Sequence, residues 1–252
     1  MNALITDRVQ RSFSRSFGSY HDEAGQQAQI AADLVDALRI HGAPDKFTHG
    51  LELGCGTGHL TQRLKETFRF QSLTLNDLAP EAEKTATDAD ASFLCGDAQQ
   101  IMWPNEVDLI CSASMIQWFE DPAILMQRIA NWLQPGGWMA VSGFGPRQFQ
   151  ELAQVGSNAG APGLCQPDEL SAAVRDELEV VATGHSIRTL RFDSPHEVLR
   201  HLRSTGVNGR ARATWTRSDM RRFSDDYVAR HGSDGTVPLT YHPIWIVARK
   251  PI

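Results

Sequence analysis

A glycine-rich turn in the first quarter of the chain is the feature that most constrains its fold. The run LELGCGTG occupies residues 51–58, and its glycines alternate from Gly54 to Gly58. Glycine has no Cβ, so the backbone of such a turn can pass within contact distance of a bulky ligand. Leu60 and Leu64 then mark one face of a helix, whose first amide groups point at the same place. The pattern predicts a strand, a tight turn and a helix that together hold a ligand.

The spacing of the glycines separates this turn from two phosphate-binding motifs. A dinucleotide-binding G-x-G-x-x-G pattern needs a glycine where this chain has His59. The G-K-[ST] ending of a phosphate-binding loop is also missing from the run. The sequence therefore predicts a ligand other than a pyrophosphate.

Strand and helix patterns alternate on both sides of the turn. The helix that precedes the fifth predicted strand has Asp121 as its N-cap and Pro122 in its first turn, and it ends at Pro135-Gly136-Gly137. This alternation predicts an α/β fold with a parallel sheet covered by helices on both faces. The predicted strands are 49–53, 72–76, 92–95, 107–112, 138–142, 179–189 and 240–249. The predicted later helices are 147–156, 167–176, 195–204 and 216–231.

Polar groups follow the predicted strands, at the edge where ligands bind in such sheets. Asp77 lies about 20 residues beyond the glycines, where a carboxylate can accept hydrogen bonds from both hydroxyls of a ribose. Asp97 can accept from an adenine amino group, while the backbone N–H of Ala98 serves a ring nitrogen. Gln117 and Trp118 follow the fourth strand, near the reactive end of such a ligand. An aspartate after a strand is also a common helix cap, and Trp118 also suits a core, so both alternatives stay open.

These motifs, in this order, resemble those of the class I S-adenosylmethionine-dependent methyltransferases over residues 48–145. The resemblance implies a Rossmann-like seven-stranded sheet, mostly parallel, with an antiparallel last strand. It implies S-adenosylmethionine as the methyl donor and S-adenosylhomocysteine as the product. The donor-binding residues that it implies are Tyr20, Gln27, Glu52, Gly54, Cys55, Gly56, Gly58, Asn76, Asp77, Leu78, Gly96, Asp97, Ala98, Ser112, Gln117 and Trp118.

Further stretches resemble the family of malonyl-acyl carrier protein O-methyltransferases of biotin synthesis. They are residues 13–24, the run SMIQW at 114–118, and the pair GVNG at 206–209 and LTYH at 239–242. The family usually has aspartate where this chain has Glu52, a departure that keeps the acid. The resemblance implies methylation of the free carboxylate of a malonyl group, and it leaves open whether acyl carrier protein or coenzyme A carries that group.

This chemistry needs alignment of the reactants more than it needs a base, because a carboxylate is already ionised at neutral pH. Tyr20, in a predicted N-terminal helical lid, is expected to cover the donor. Tyr241 and His242, at the start of the last strand, are expected beside the site as catalytic hydrogen-bond donors. Packing within the core is the alternative for the lid helix and for His242. The further expected substrate contacts are Arg147, Arg203 and Asn208.

The chain divides into four predicted segments, one of which is basic. A helical lid over residues 1–44 precedes the donor-binding core at 45–194, a helical insertion at 195–238 and the last strand of the core at 239–252. The whole chain has a formal net charge of −6, yet the segment from Arg188 to Arg222 contains nine arginines and only three acidic residues. This segment suits docking of an acidic partner such as a carrier protein. A solvated arginine-rich helical face is the alternative.

Several other classes of protein and of site are disfavoured by composition. No apolar run approaches the ~20 residues of a membrane span, and residues 1–10 lack the core of a signal peptide. The overall acidity argues against a nucleic-acid partner. We expect a cytoplasmic monomer with reduced thiols and no metal site, since no two cysteines form a C-x-x-C pair. Another small-molecule methyltransferase and a catalytically silent donor-binding protein stay open as alternatives. The cysteines are Cys55, Cys95, Cys111 and Cys165.

Overall fold

The computed structural model describes residues 25–157, 160–204 and 215–252. The strands in these ranges are β1 Lys46–Leu53, β2 Arg69–Asp77, β3 Ser92–Cys95, β4 Leu109–Ser112, β5 Trp138–Phe144, β6 Glu179–His185, β7 Arg188–Phe192, β8 Val237–Tyr241 and β9 Pro243–Arg249. Seven of them form one sheet in the order β3-β2-β1-β4-β5-β9-β6, and β7 pairs with β8 in a separate two-stranded sheet. Strands β1 to β5 run parallel, and β9 is antiparallel to both of its neighbours. The predicted seven-stranded class I methyltransferase sheet is confirmed.

Helices cover both faces of this sheet. In the described ranges they are α1 Gly25–Ile40, α2 His59–Thr67, α3 Glu83–Asp88, α4 Pro122–Trp132, α5 Gln150–Gln154, α6 Pro167–Val174, α7 Pro195–Ser204 and α8 Arg217–His231, with 3-10 turns at Pro80–Ala82 and Ile116–Trp118. The start of α4 is as predicted, because the Asp121 side chain accepts from the Ala123 amide and Pro122 lies in the first turn. No helix within these ranges has the length and apolar character of a membrane span.

The pattern of burial places the ligand edge of the sheet between two apolar layers. Every residue of β4 and β5 is buried, as expected for central parallel strands covered on both faces. On one face Leu51 and Ile110 pack with residues of α4 and α6. On the other face Leu109 and Ala140 pack with residues of α1 and α2. The carboxyl ends of β1 to β4 therefore meet at one edge of a rigid sheet.

Two predicted long strands are wrong, because each is divided where the chain leaves the main sheet. The strand predicted at 179–189 is divided into β6 and β7, and the one predicted at 240–249 is divided at His242. The His242 backbone is withdrawn from the ladder, since its N–H donates to Gln148 Oε1 and its C=O accepts from the Gly145 amide. The predicted border of the helical insertion at residue 238 thus falls inside β8.

The helix predicted at 147–156 is also shorter than expected. Phe149 adopts φ 54°, a left-handed conformation that ends the preceding turn, so α5 spans only Gln150–Gln154. Residues 1–24, which include the predicted lid helix, lie outside the described residues.

Candidate functional site

A cavity opens at the edge where β1, β2, β3 and β4 end. Those predicted donor-binding residues that line it are Gln27, Glu52, Gly54, Cys55, Gly56, Asn76, Asp77, Leu78, Gly96, Asp97, Ala98 and Trp118. The sheet topology brings them together, because parallel neighbours present their carboxyl ends at the same edge. Tyr20 lies outside the described residues.

The glycine turn is held against β2 by the carboxylate of Asp77. Asp77 Oδ2 accepts from the Gly56 amide and Oδ1 from the Ala79 amide, each at 2.8 Å. Gly54 has φ 73°, and a Cβ added there would lie 2.5 Å from Cγ of Met115. Gly54 therefore permits a close approach between the turn and the segment that follows β4. Asp77 serves both the turn and the cavity, so the turn-residue and ligand interpretations are compatible.

Glu52 is a buried carboxyl group with one oxygen left for a ligand. Glu52 is only 1% exposed, and its Oε2 accepts a hydrogen bond from Thr61 Oγ1 at 2.7 Å. Its Oε1 has no hydrogen-bond partner among the described residues. Burial raises the pKa of Glu52 to about 8, against the effect of the Thr61 hydrogen bond, and the charge of Asp77 raises it further. A buried acceptor of this kind facing a cavity indicates a site for a cationic or hydrogen-donating group.

Other polar atoms of the cavity wall also lack partners among the described residues. Gln27, which is 7% exposed on α1, has an unpaired Oε1. Thr57 Oγ1 and Ser114 Oγ are likewise buried and unpaired. The described lining includes three carboxyl side chains and no lysine or arginine. Such a wall suits a ligand with positive charge and disfavours a phosphate.

At the third strand, Asp97 both caps a turn and lines the cavity. Its Oδ1 accepts from the Gln99 amide at 2.9 Å. Asn76 supports the same region by donating from Nδ2 to the carbonyl oxygens of Leu94 and Gly96, at 2.8 and 2.9 Å. The acids at the carboxyl ends of β2 and β3 thus lie on the same side of the glycine turn, and both line the cavity.

Three predicted donor-binding residues are placed outside the described lining. Gly58 lies at the start of α2, where a Cβ would meet Thr85 at 2.8 Å. Ser112 is fully buried and donates to the Leu53 carbonyl oxygen at 2.8 Å. Gln117 donates from Nε2 to the Ser114 carbonyl oxygen. These contacts link strands and turns that shape the cavity, and the donor-binding roles of the three residues stay predictions.

Tyr241 and His242 do not line the cavity, contrary to expectation. Tyr241 is 0% exposed and packs against Phe144 and Phe149, and its hydroxyl lies 2.7 Å from His201 Nε2. The reason is the division of the last strand, which leaves Tyr241 in β8 under the helices of the insertion. His242 Nδ1 accepts from the Arg147 amide at 3.2 Å.

The remaining predicted substrate contacts are dispersed. Arg147 is exposed, and its Nε donates to Gln150 Oε1 at 3.2 Å. Arg203 is exposed on α7, whereas Asn208 lies outside the described residues. Arg147 and Arg203 are both absent from the described lining of the cavity.

Sequence reasoning also missed part of the cavity wall. In the segment after β4 only Gln117 and Trp118 were assigned to the ligand, yet Ser114, Met115 and Phe119 also line the cavity. A polar and apolar segment directly after a central parallel strand was the available signal. The remaining residues that were not predicted are Ala31, Thr57, His59, Leu60, Ala79 and Ala113.

Comparison with known proteins agrees with this geometry. The family model described as a methyltransferase domain matches residues 51–141. A malonyl-[acyl-carrier protein] O-methyltransferase of Bacteroides thetaiotaomicron is 34% identical, over 99% of this chain and 99% of that protein. One of Bacteroides fragilis is 36% identical over 96% of this chain, which spans 50% of that longer protein.

A solved structure provides a comparison of folds. The N-methyltransferase NodS from Bradyrhizobium japonicum, in complex with S-adenosylhomocysteine, has a TM-score of 0.58 and 14% identity, over 97% of this chain and 100% of that chain. At this identity the likeness shows a shared fold alone.

Proposed function

Because this chain belongs to the malonyl-[acyl-carrier protein] O-methyltransferase family, we propose that it methylates the free carboxylate of a malonyl group carried on acyl carrier protein. The enzyme is a methyltransferase whose donor is S-adenosylmethionine. The methyl ester hides a negative charge, so that chain-elongating enzymes accept the product as an apolar acyl end. We place the reaction early in biotin synthesis. The observation that supports the proposal most directly is full-length similarity together with a carboxyl-lined cavity.

The residues of the cavity fit the donor. Asp77 is suited to the ribose hydroxyls, and Asp97 with the Ala98 amide is suited to adenine. The unpaired oxygens of Glu52 and Gln27 are suited to the ammonium group of the methionine half. A sulfonium ligand with net positive charge matches a wall without lysine or arginine among its described residues.

The reaction itself requires no protein base. S-adenosylmethionine supplies a methyl group on a positively charged sulfur. A carboxylate oxygen of the substrate forms the new O–CH₃ bond, the C–S bond breaks, and its electron pair stays on sulfur. Since a carboxyl group of pKa ~4 is already ionised at pH 7, no proton has to move. The protein aligns the two reactants, an effect worth up to ~7–11 kcal/mol.

Water is kept from the reacting groups by apolar side chains. Met115, Trp118 and Phe119 form the described wall beyond the glycine turn. Trp118 and Phe119 are buried, at the 3-10 turn that follows β4. An apolar wall strengthens the attraction between the carboxylate and the sulfonium, because fewer water dipoles oppose it.

Carrier docking is proposed for the exposed face of α7. His196, Arg200 and Arg203 recur at helical spacing and are exposed. Arg200 donates a hydrogen bond to Glu197 at 2.7 Å, which partly neutralises its charge. Of the two arginines, Arg203 is therefore the one whose charge is more available to a partner. An acidic carrier protein would be steered to such a face and would reach the cavity with its flexible acyl arm.

The experiment is a methyl-transfer assay that compares malonyl-, succinyl- and acetyl-acyl carrier protein as substrates. Turnover is measured as the release of S-adenosylhomocysteine. We expect turnover of the malonyl substrate, weaker turnover of the longer succinyl group and none of the acetyl group, which has no free carboxylate. Preference for a phenol or an amine over all three would refute the proposed substrate. Donor binding without methyl transfer to any acceptor would indicate the catalytically silent alternative.

The four cysteines support the proposed cytoplasmic location. All are free thiols, and Cys55, Cys111 and Cys165 are buried. Free thiols persist in a reducing compartment.

A further inference from the structure

Helix α4 holds the loop that follows β3 through three side-chain hydrogen bonds. Arg128 donates from Nη1 to the Ala98 carbonyl oxygen at 3.0 Å and from Nη2 to the Ile101 carbonyl oxygen at 2.5 Å. One turn later, Trp132 Nε1 donates to the Pro104 carbonyl oxygen at 2.7 Å. The loop between β3 and β4 is thus fixed at three points by one helix.

Arg128 is itself held in place by two tryptophans. Its Cζ lies 4.2 Å from the ring centroid of Trp103 and 5.8 Å from that of Trp132. The two rings meet edge to face at 5.7 Å, and Trp103 is only 2% exposed. A planar guanidinium that lies over the face of one ring and beside a second ring has few alternative conformations, so its two N–H groups are directed at fixed points.

One of those points is the peptide group next to Asp97. The carbonyl of Ala98 and the amide of Gln99 belong to the same planar peptide group. Arg128 binds the oxygen end of this group, and Asp97 Oδ1 accepts from its N–H end at 2.9 Å. The orientation of the Asp97 carboxylate therefore depends on a peptide plane that Arg128 anchors. Asp97 and Ala98 both line the cavity.

We propose that Arg128 is a positioning residue for the nucleobase end of the donor site, acting through the Ala98–Gln99 peptide group on the carboxylate of Asp97. The inference rests on the placement of adenine at Asp97 that is proposed above. Electrostatics support it, because burial lowers the pKa of the Arg128 guanidinium while the negative charge of Asp97 opposes that shift. The positive charge thus also steadies the acceptor that meets the adenine amino group.

The test is calorimetry with two ligands that differ only in the base. S-adenosylhomocysteine has a 6-amino group on its purine, and the analogue with an unsubstituted purine has a hydrogen there while keeping the ring nitrogens as acceptors. The wild type should prefer the adenine ligand. Arg128→Met should reduce this preference about tenfold, the order of one charge-assisted hydrogen bond. Arg128→Lys should reduce it less, since an ammonium keeps the charge without the two-pronged geometry.

A matched control and a kinetic readout separate positioning from folding. Arg63→Met removes a half-buried arginine of α2 whose recorded ion pairs are with Asp36 and Glu66, and it should leave the ligand preference unchanged. Steady-state kinetics of Arg128→Met should show a raised KM for S-adenosylmethionine with kcat unchanged, since the base lies far along the ligand from the methyl group. If Arg128→Met does not fold, Arg128→Lys carries the same comparison.

The outcomes distinguish the positioning role of Arg128 from the adenine site at Asp97 on which that role rests. A loss of base preference in both Arg128→Met and Asp97→Ala supports the inference. A loss in Asp97→Ala alone, or equal weakening of both ligands by Arg128→Met, overturns it while the adenine site stands. An unchanged preference in Asp97→Ala overturns the adenine site and the inference together.

Discussion

Glu52, which lines the cavity, accepts a buried hydrogen bond of 2.7 Å from Thr61, and its second carboxyl oxygen has no partner among the described residues. The bond joins the end of β1 to the first turn of α2. Thr61 is itself buried. Since this carboxyl group has little access to water, its charge depends on what occupies the cavity.

Donor affinity should rise with pH up to about 8. Burial raises the pKa of Glu52 to about 8, so in the free protein this group holds its proton at pH 7. A cationic donor favours the ionised form, and binding below pH 8 therefore releases a proton. The dissociation constant for S-adenosylmethionine should fall by at most about tenfold per pH unit between pH 6 and 8.

Calorimetry in buffers of different ionisation enthalpy measures this release directly. Glu52→Gln, which keeps an acceptor for Thr61, should remove most of the pH slope. A wild-type affinity that is flat over this range would contradict the prediction.

The same group should make the stability of the ligand-free protein depend on pH. The folded-state pKa of about 8 lies above the ordinary glutamate value of 4.5, so the folded protein binds the proton more tightly than the unfolded chain. The stabilisation from this proton is complete below pH 4.5 and is lost as pH rises through 8. Glu52→Gln should therefore gain melting temperature relative to wild type at pH 8 and not at pH 4.5. Scanning calorimetry at both values checks this, and an equal difference at the two pH values would refute it.

Replacing Gly54 by alanine should damage the cavity more than the same change at Gly42. Both residues have positive φ, 73° and 95°, so both substitutions cost backbone strain of order 1–2 kcal/mol. Only at Gly54 would the new Cβ meet another residue, at 2.5 Å from Met115 Cγ, whereas nothing lies within 4 Å at Gly42. We expect similar stability losses from strain, with loss of donor affinity confined to Gly54→Ala. Calorimetric titration with S-adenosylhomocysteine distinguishes the two, and equal affinities would contradict the steric account.

Charge reversal on α7 should act on the carrier-bound substrate alone. The double change Arg200→Glu and Arg203→Glu should raise KM for malonyl-acyl carrier protein about tenfold at low salt and less at high salt. A small malonyl thioester should be unaffected. The control with the same change of charge is Arg69→Glu with Arg175→Glu, two exposed positions on other elements. Similar effects on both substrates would show that α7 does not dock the carrier.

Local signals were sufficient to predict that the glycine turn and two acids meet at one cavity. The glycine turn, Asp77 and Asp97 each follow a strand, and parallel pairing alone determines that they meet. The start of α4 could also be predicted from the sequence, because the capping effects of Asp121 and Pro122 act on neighbouring backbone groups.

Tertiary contacts determine the features that the sequence did not predict, namely the break in the last strand and the placement of Tyr241 and Arg128. The run from Thr240 to Arg249 is mostly apolar and was predicted as one strand, but Gln148 and Gly145 form hydrogen bonds with the backbone of His242 from a distant segment. This break turns Tyr241 away from the cavity and into a cluster with Phe144 and Phe149. Arg128 gave no signal either, since an arginine on an exposed helix turn is usually solvated and only the fold brings it to Ala98.

The described cavity wall, with three carboxyl side chains and no lysine or arginine, has a consequence for turnover. Before the reaction the ligand has a sulfonium, and afterwards it is a thioether without that charge. The chemical step thus removes part of the electrostatic attraction that retained the reactant. We therefore expect this wall to hold the spent ligand less tightly than the fresh donor, which would lessen product inhibition and speed the exchange that readies the enzyme for another cycle.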